Sequence, residues 1–200
     1  MELEKYLYLT KTEWVKTWIE GGQIPILPAS TYLSDERAGT QTPDENLIHQ
    51  SPVDLLNMGL IGADDPTKVT IRRMTTSNIV INGVRLPDVT NGRYEREDGL
   101  ILSFSNKKSK LIATRLGKVA CVKILDIAAL KKVIDEQLGI ASEMHDCSYT
   151  DEHQRSHFLK SSEDAWQHEY RMFWPVTEPV TVMIPAGMAV AVKMKNLTKR

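Results

Sequence analysis

Residues 166 to 171, Trp-Gln-His-Glu-Tyr-Arg, place an amide, Gln167, two positions before a carboxylate, Glu169, inside an aromatic frame. A run rich in aromatic residues that ends at a proline, here Pro175, reads as a strand. Alternate side chains of a strand share a face. Gln167, Glu169, Arg171 and Phe173 then point one way, and Trp166, His168, Tyr170, Met172 and Trp174 the other. The aromatic face suits a core. The polar face either pairs Glu169 with Arg171 at the surface or presents the amide and the carboxylate side by side toward a cleft. A second group offers different chemistry. His145, Cys147, His153 and His157 end in His-x-x-x-His spacing. One helical turn would bring the last two together, and the upstream pair would complete a tetrahedral zinc site. That arrangement implies a metal-dependent hydrolase or nuclease, with Glu143 or Asp146 as base; the alternative is a polar surface segment.

Weaker groups stand beside these. The acids of residues 36 to 46, Glu36, Asp44 and Glu45, with Arg37, suit Mg²⁺ or a solvated loop. Asn106 to Lys110 forms a small basic patch that suits solvent or a phosphate beside Ser105. Phosphate loops, GxGxxG and Gly-x-Ser-x-Gly elbows do not occur.

The elements that must position these residues alternate between strands and helices. Lys5 to Thr10 alternates like a short strand. Residues 11 to 22 read as a helix capped by Thr10 or Thr12 and stopped by Gly21-Gly22. Residues 23 to 52 hold four prolines and read as a long loop with at most short structure, the kind that often carries function. Residues 51 to 61 read as one or two helical turns. Residues 68 to 89 read as one or two strands turning at Asn82-Gly83. Leu100 to Ser105 is a buried strand, with Ser103 and Ser105 on one face and Phe104 on the other. A helix closed by Gly117 follows, then a strand over residues 118 to 125 that carries Cys121. Asp126 caps the clearest helix, whose apolar stripe is Ile127, Leu130, Val133, Ile134 and Leu138 and whose stop is Gly139. Two further strands close the chain. This mixture predicts an α+β fold.

At 200 residues the chain fits one domain, residues 1 to 200, with a long loop at about 25 to 50. A formal net charge of −1 gives no overall pull toward nucleic acid or anionic membrane. Two cysteines are too few for a disulfide framework, and the first residues lack the apolar stretch of a signal peptide. The expectation is a cytoplasmic protein with reduced thiols, no membrane span and an inert, buried Cys121.

Three pieces, in chain order, resemble the ADP-ribosyltransferase family, enzymes that cleave NAD and pass ADP-ribose to an acceptor. Its motifs lie on three core strands: an Arg or His that contacts NAD, a Ser-x-Ser pair, and Gln-x-Glu or Glu-x-Glu. Ser103 and Ser105 match the second motif, and Gln167 and Glu169 the third. Residues 6 to 22 look like the opening of the subgroup that reads Tyr-His-x-Thr before a helix ending in glycines, with Thr10 matched and Tyr8 in place of the His. Arg72, Arg73 or a loop residue would then supply that contact. The last strand is also similar to an uncharacterised bacterial group with a Trp-x-x-Glu-x-Tyr-Arg-like ending. The resemblance implies a split mixed or antiparallel sheet with flanking helices, NAD as substrate, and a toxin or phage-defence role. The acceptor would be a nucleic-acid base or a host protein, and an antitoxin-like partner could accompany the chain. Glu169 would stabilise the oxocarbenium-like state and Gln167 would orient the acceptor. Tyr8 and Tyr32 would stack on nicotinamide, Ser103 and Ser105 would brace the site, and the loop over 28 to 50 would exclude water. A binding subunit that kept the fold and lost the chemistry is the remaining alternative.

Overall fold

A computed structural model of the chain describes residues 4–56 and 69–194. Its core is an eight-stranded sheet with the central order β10-β13-β8-β1-β9-β15, to which β2 and β14 attach. Here β1 is Lys5–Leu9, β2 Gly22–Pro28, β8 Leu100–Ser105 and β9 Ala120–Ile124. The others are β10 Glu143–Asp146, β13 Glu169–Trp174, β14 Val180–Ile184 and β15 Ala189–Ala191. Every pairing in this sheet is antiparallel. With three α-helices among the described residues, α1 Trp14–Glu20, α2 Lys110–Arg115 and α3 Ile127–Leu138, the fold is α+β and mostly antiparallel.

Alternation gives the sheet two unlike faces. Leu100, Leu102 and Phe104 of β8 lie with Tyr170, Met172 and Trp174 of β13 and with Leu7 and Leu9 of β1. Trp18 of α1 and Ile127, Leu130 and Ile134 of α3 cover this face and make the main core. Helix α3 follows local rules throughout. Asp126 accepts a hydrogen bond from the Ala129 N–H at 2.8 Å, and Gly139 ends the helix in the left-handed region. The opposite face carries Ser103, Ser105, Glu169 and Arg171.

β8 shares one edge between two strands. β1 pairs with it only at Ser105, and β2 only at Leu100 and Ile101. Between those contacts the sheet opens. The 25 to 50 region is correspondingly more structured than a loop reading predicts. It contains β2, a 3₁₀ turn Ala29–Tyr32 and β3 Leu47–Gln50. β2 carries Pro25 opposite Thr181 of β14 and Pro28 at its last position, opposite Leu100 of β8.

A three-stranded sheet lies outside the main one. In it β7, Val89–Arg96, pairs with both β3 and β4, Ile71–Thr76. The predicted turn at Asn82-Gly83 joins β5 Val80–Ile81 to β6 Val84–Arg85, both turn residues having positive φ. β11, Ser148–Thr150, and β12, Leu159–Ser161, form a short parallel pair. Residues 51 to 56 are turn and bend rather than helix, and the rest of that predicted segment lies outside the described residues. α1 starts with no side-chain cap, so neither Thr10 nor Thr12 plays that role. None of the described helices is long and apolar enough to cross a membrane.

Candidate functional site

The opening beside β8 is a cleft of about 440 Å³. Tyr8, Thr10, Tyr32, Ser103, Ser105, Gln167 and Glu169, drawn from four separate stretches of sequence, all line it. So do Glu45, Lys160 and Arg171 at the polar end, and Trp14, Trp18, Ile24 and Leu27 at the apolar end.

Four charged side chains meet at the polar end. Glu169 and Arg171 share a face of β13, as the alternation predicts. Glu169 Oε1 accepts from Ser103 Oγ at 2.6 Å and from Arg171 Nε at 2.8 Å. Its Oε2 accepts from Lys160 Nζ at 2.8 Å. Arg171, 1 % exposed, also donates to Glu45 Oε1 and, at 2.9 Å, to the His157 carbonyl. Lys160 reaches Glu45 Oε2 at 3.5 Å. Two carboxylates thus share two cations, and the buried charge sums to zero. Such a network persists in a low dielectric because each charge has both an ion partner and further hydrogen bonds.

Burial alone would raise the Glu169 carboxyl, but Arg171 and Lys160 outweigh it and hold it at about 2. Burial likewise opposes the charged forms of Lys160 and Arg171, and the two carboxylates override it and raise both. Glu169 is therefore a permanent anion at neutral pH. It is suited to stabilising charge and unsuited to donating a proton.

Each partner is delivered by local structure. Glu45 is set by the outer sheet: the Glu97 N–H donates to the Asn46 carbonyl, and Arg96 holds Pro43 and Asn46. Thr42 Oγ1 then donates to Glu45 Oε2 at 2.9 Å. Lys160 lies on β12, and the Glu169 N–H donates to the hydroxyl of Tyr149, on β11, at 2.8 Å. Arg37 and Arg155 both grip Asp44, and Arg37 also pairs with Asp164, so this loop is already packed down. Gly39 has φ +70, and a Cβ there would come within 2.6 Å of the Arg115 carbonyl oxygen, so only glycine lets the loop meet α2.

Gln167 departs from the strand reading. It ends a 3₁₀ turn, Ser162–Gln167, and His168 follows in the left-handed region before β13 begins. The alternation therefore fails at Gln167, and a bridge replaces it. Lys160 Nζ donates to Gln167 Oε1 at 3.2 Å and to Glu169 Oε2, which brings amide and carboxylate together. Ser105 donates to the Gln167 carbonyl at 2.8 Å rather than to a side chain. The Tyr8 hydroxyl donates to the Lys107 carbonyl and accepts from the Ser109 N–H, so both of its polar roles are taken by backbone.

Other expectations are corrected. Arg72 and Arg73 do not line the cleft; Arg72 is 85 % exposed and belongs to a charged hollow on the outer sheet. From the loop, Thr40 and Glu45 line it. The acid-rich loop does not gather its carboxylates, since Asp44 is taken by arginines and Glu45 by the quartet. The His/Cys group is dispersed as well. His145 packs edge-on to Phe158, His153 contacts the Ser51 carbonyl, and His157 stacks on Phe173. Cys147 is buried, with burial and the nearby Glu169 raising its thiol to about 12. Among the described residues no three His, Cys, Asp or Glu side chains are placed to hold a metal ion. Cys121 is free and buried, as expected.

Glu45 and Lys160 are the site residues that sequence reasoning missed. Glu45 was visible only as one acid among several, and Lys160 only as part of a polar segment. Compared with known proteins, the chain matches no family model, no curated protein and no solved structure.

Proposed function

We propose that the protein is an NAD-dependent ADP-ribosyltransferase of the toxin or phage-defence kind, built on that family's split sheet. One observation carries the reading: the Ser-x-Ser and Gln-x-Glu residues, with Tyr8, Thr10 and Tyr32, line one cleft where the sheet opens beside β8. Glu169 would place its fixed negative charge against the ribose as the nicotinamide bond breaks and positive charge develops. Of its three side-chain donors, Ser103 is the neutral one. Rotation of that hydroxyl frees Glu169 Oε1 for a ribose hydroxyl while Lys160 and Arg171 keep the carboxylate in place. The amide of Gln167 would orient the acceptor. The apolar end, with the rings of Tyr8, Trp14 and Tyr32, would take nicotinamide and keep water from the cation.

A binding role without catalysis is favoured by one fact: both Glu169 oxygens are already hydrogen-bonded. Nicotinamide release from NAD separates the two, measured beside Glu169→Gln with RNA, DNA and cell lysate as acceptors. The transferase reading expects release that falls by about 10²–10³ in the variant, the scale of losing one electrostatic stabiliser. NAD binding with no release, in a folded wild-type protein, establishes the binding role instead.

A further inference from the structure

The cleft has a mouth whose charge differs from that of its floor. From Gly99 to Leu125 the chain has no Asp or Glu, yet carries Lys107, Lys108, Lys110, Arg115, Lys118 and Lys123. In a chain of net charge −1 this is a strong local asymmetry. Part of this segment lies at the cleft. The Tyr8 hydroxyl bonds to Lys107 and Ser109 backbone, and Ser105 Oγ bonds to Lys107 backbone, so the turn before α2 lies against cleft residues. After α2, Leu116 and Lys118 line the cleft directly. The Val119 N–H donates to the Leu9 carbonyl, which sets Lys118 beside Thr10 and Lys11 at the end of β1.

Lys123 is matched by Glu4 at 3.0 Å, but the cations nearest the cleft are not matched in this way. Among the described residues, Lys11, Lys107, Arg115 and Lys118 make no ion pair within 4.0 Å, whereas Lys160 and Arg171 below them are matched by Glu45 and Glu169. Burial pushes the Lys118 ammonium below its usual range, as befits a charge without a counterion. Aromatic surface is interleaved with the charge. Trp14 lines the mouth at 39 % exposure with Lys11 over its ring, and the Arg115 guanidinium lies 3.9 Å from the Trp166 ring centroid. Free cations beside an exposed aromatic ring are what a phosphodiester strand with unstacked bases requires.

We propose that this mouth, formed by Lys11, Trp14, Lys107, Arg115 and Lys118, docks single-stranded nucleic acid and so presents a base to the cleft. As an assignment of the acceptor it rests on the transferase reading; as a binding surface it stands without it. Glu13, the carboxylate beside Trp14, opposes such binding.

The test is fluorescence anisotropy of labelled single-stranded DNA and RNA oligonucleotides across a salt series, with poly-glutamate as a non-nucleic polyanion. Wild type should bind the oligonucleotides and not poly-glutamate. The triple variant Lys107→Glu, Arg115→Glu, Lys118→Glu should weaken binding by more than about tenfold and flatten the log–log salt slope by about 2. Trp14→Ala should weaken it by about tenfold with the slope unchanged, since stacking releases no counterions. Glu13→Gln should tighten it. Arg72→Glu, Arg73→Glu, Lys132→Glu carries the same charge change away from the cleft and should bind as wild type. Near-UV circular dichroism checks folding, and the single variants Lys118→Gln and Arg115→Gln replace the triple if it misfolds. Absent binding at low salt, equal binding of poly-glutamate, or loss in the control variant but not at the mouth would each overturn the proposal. The anisotropy assay needs no NAD, so oligonucleotide binding here, together with no nicotinamide release when NAD is supplied, would sink the transferase reading and leave this one standing. Release without oligonucleotide binding would do the reverse.

Discussion

On one face of β8 and β13, Leu100, Leu102, Phe104, Tyr170, Met172 and Trp174 pack under α1 and α3. On the other, Ser103, Glu169 and Arg171 from the same two strands meet Glu45 and Lys160. Both faces are buried. They differ in what burial demands. Apolar side chains need only volume filled and water excluded, so many partners suffice. Each charge on the other face needs a particular partner at hydrogen-bonding distance, and losing one strands the rest.

That asymmetry sets the largest effect. Arg171→Ala removes the cation that bridges Glu45 and Glu169, leaving two carboxylates buried with Lys160 alone. The expected loss of unfolding free energy is about 3–5 kcal/mol. Adding Glu45→Gln should return part of that loss, because it removes a charge left without a partner. Leu130→Ala, on the apolar face, should cost about 3 kcal/mol by leaving a cavity. It has no single partner whose removal compensates. Urea unfolding of the four proteins measures both. If the second substitution worsens Arg171→Ala, the quartet is not a balanced set.

The same asymmetry explains what sequence could reveal. The apolar face was readable because periodicity and caps are local. Ile127, Leu130 and Ile134 recur at helical spacing and sit between Asp126 and Gly139, and all three are in the core. Ser103 and Glu169 were readable as strand positions with a polar face. Their partners were not. Nothing local separates Glu45 from Glu36, or Lys160 from its polar neighbours; only the outer sheet and the β11–β12 pair select them. β7, with Arg93, Glu95, Arg96 and Glu97 among its residues and neighbours, hid for a related reason. Its polar composition is satisfied by ion pairs across one face while Val89 and Tyr94 are buried on the other. Gln167 shows the converse: it lines the cleft, but not from a strand, because His168 takes a left-handed conformation that no spacing rule announces.

Acid should separate the groups by pH. Burial holds His49 and His157 at about 4, below the usual 6.5. Between those values the unfolded chain binds more protons than the folded one, so stability falls as pH drops from about 6.5 toward 4. Glu169 shifts from an ordinary 4.5 to about 2, so its contribution is complete above 4.5 and lost as pH falls toward 2. Unfolding free energy against pH should therefore decline in two windows. Glu169→Gln should shrink the lower one only, and His157→Phe should shrink the upper one only. A single window that both substitutions alter alike would show that the quartet and His157, whose carbonyl Arg171 holds, titrate as one unit.

The smallest effect asks whether the faces are independent. Asp126→Ala removes the cap of α3 on the apolar side and should cost about 1 kcal/mol. Ser103→Ala removes one donor to an ionised carboxylate on the polar side and should cost about 1–2 kcal/mol, since Lys160 and Arg171 still hold Glu169. The two residues share no hydrogen-bond partner. If β8 and β13 act only as a wall, the double variant should equal the sum of the singles to within about 0.5 kcal/mol. A larger discrepancy in urea midpoints would mean that packing under α3 sets where Ser103 stands. In that case the apolar core would be part of what aims Glu169 into the cleft.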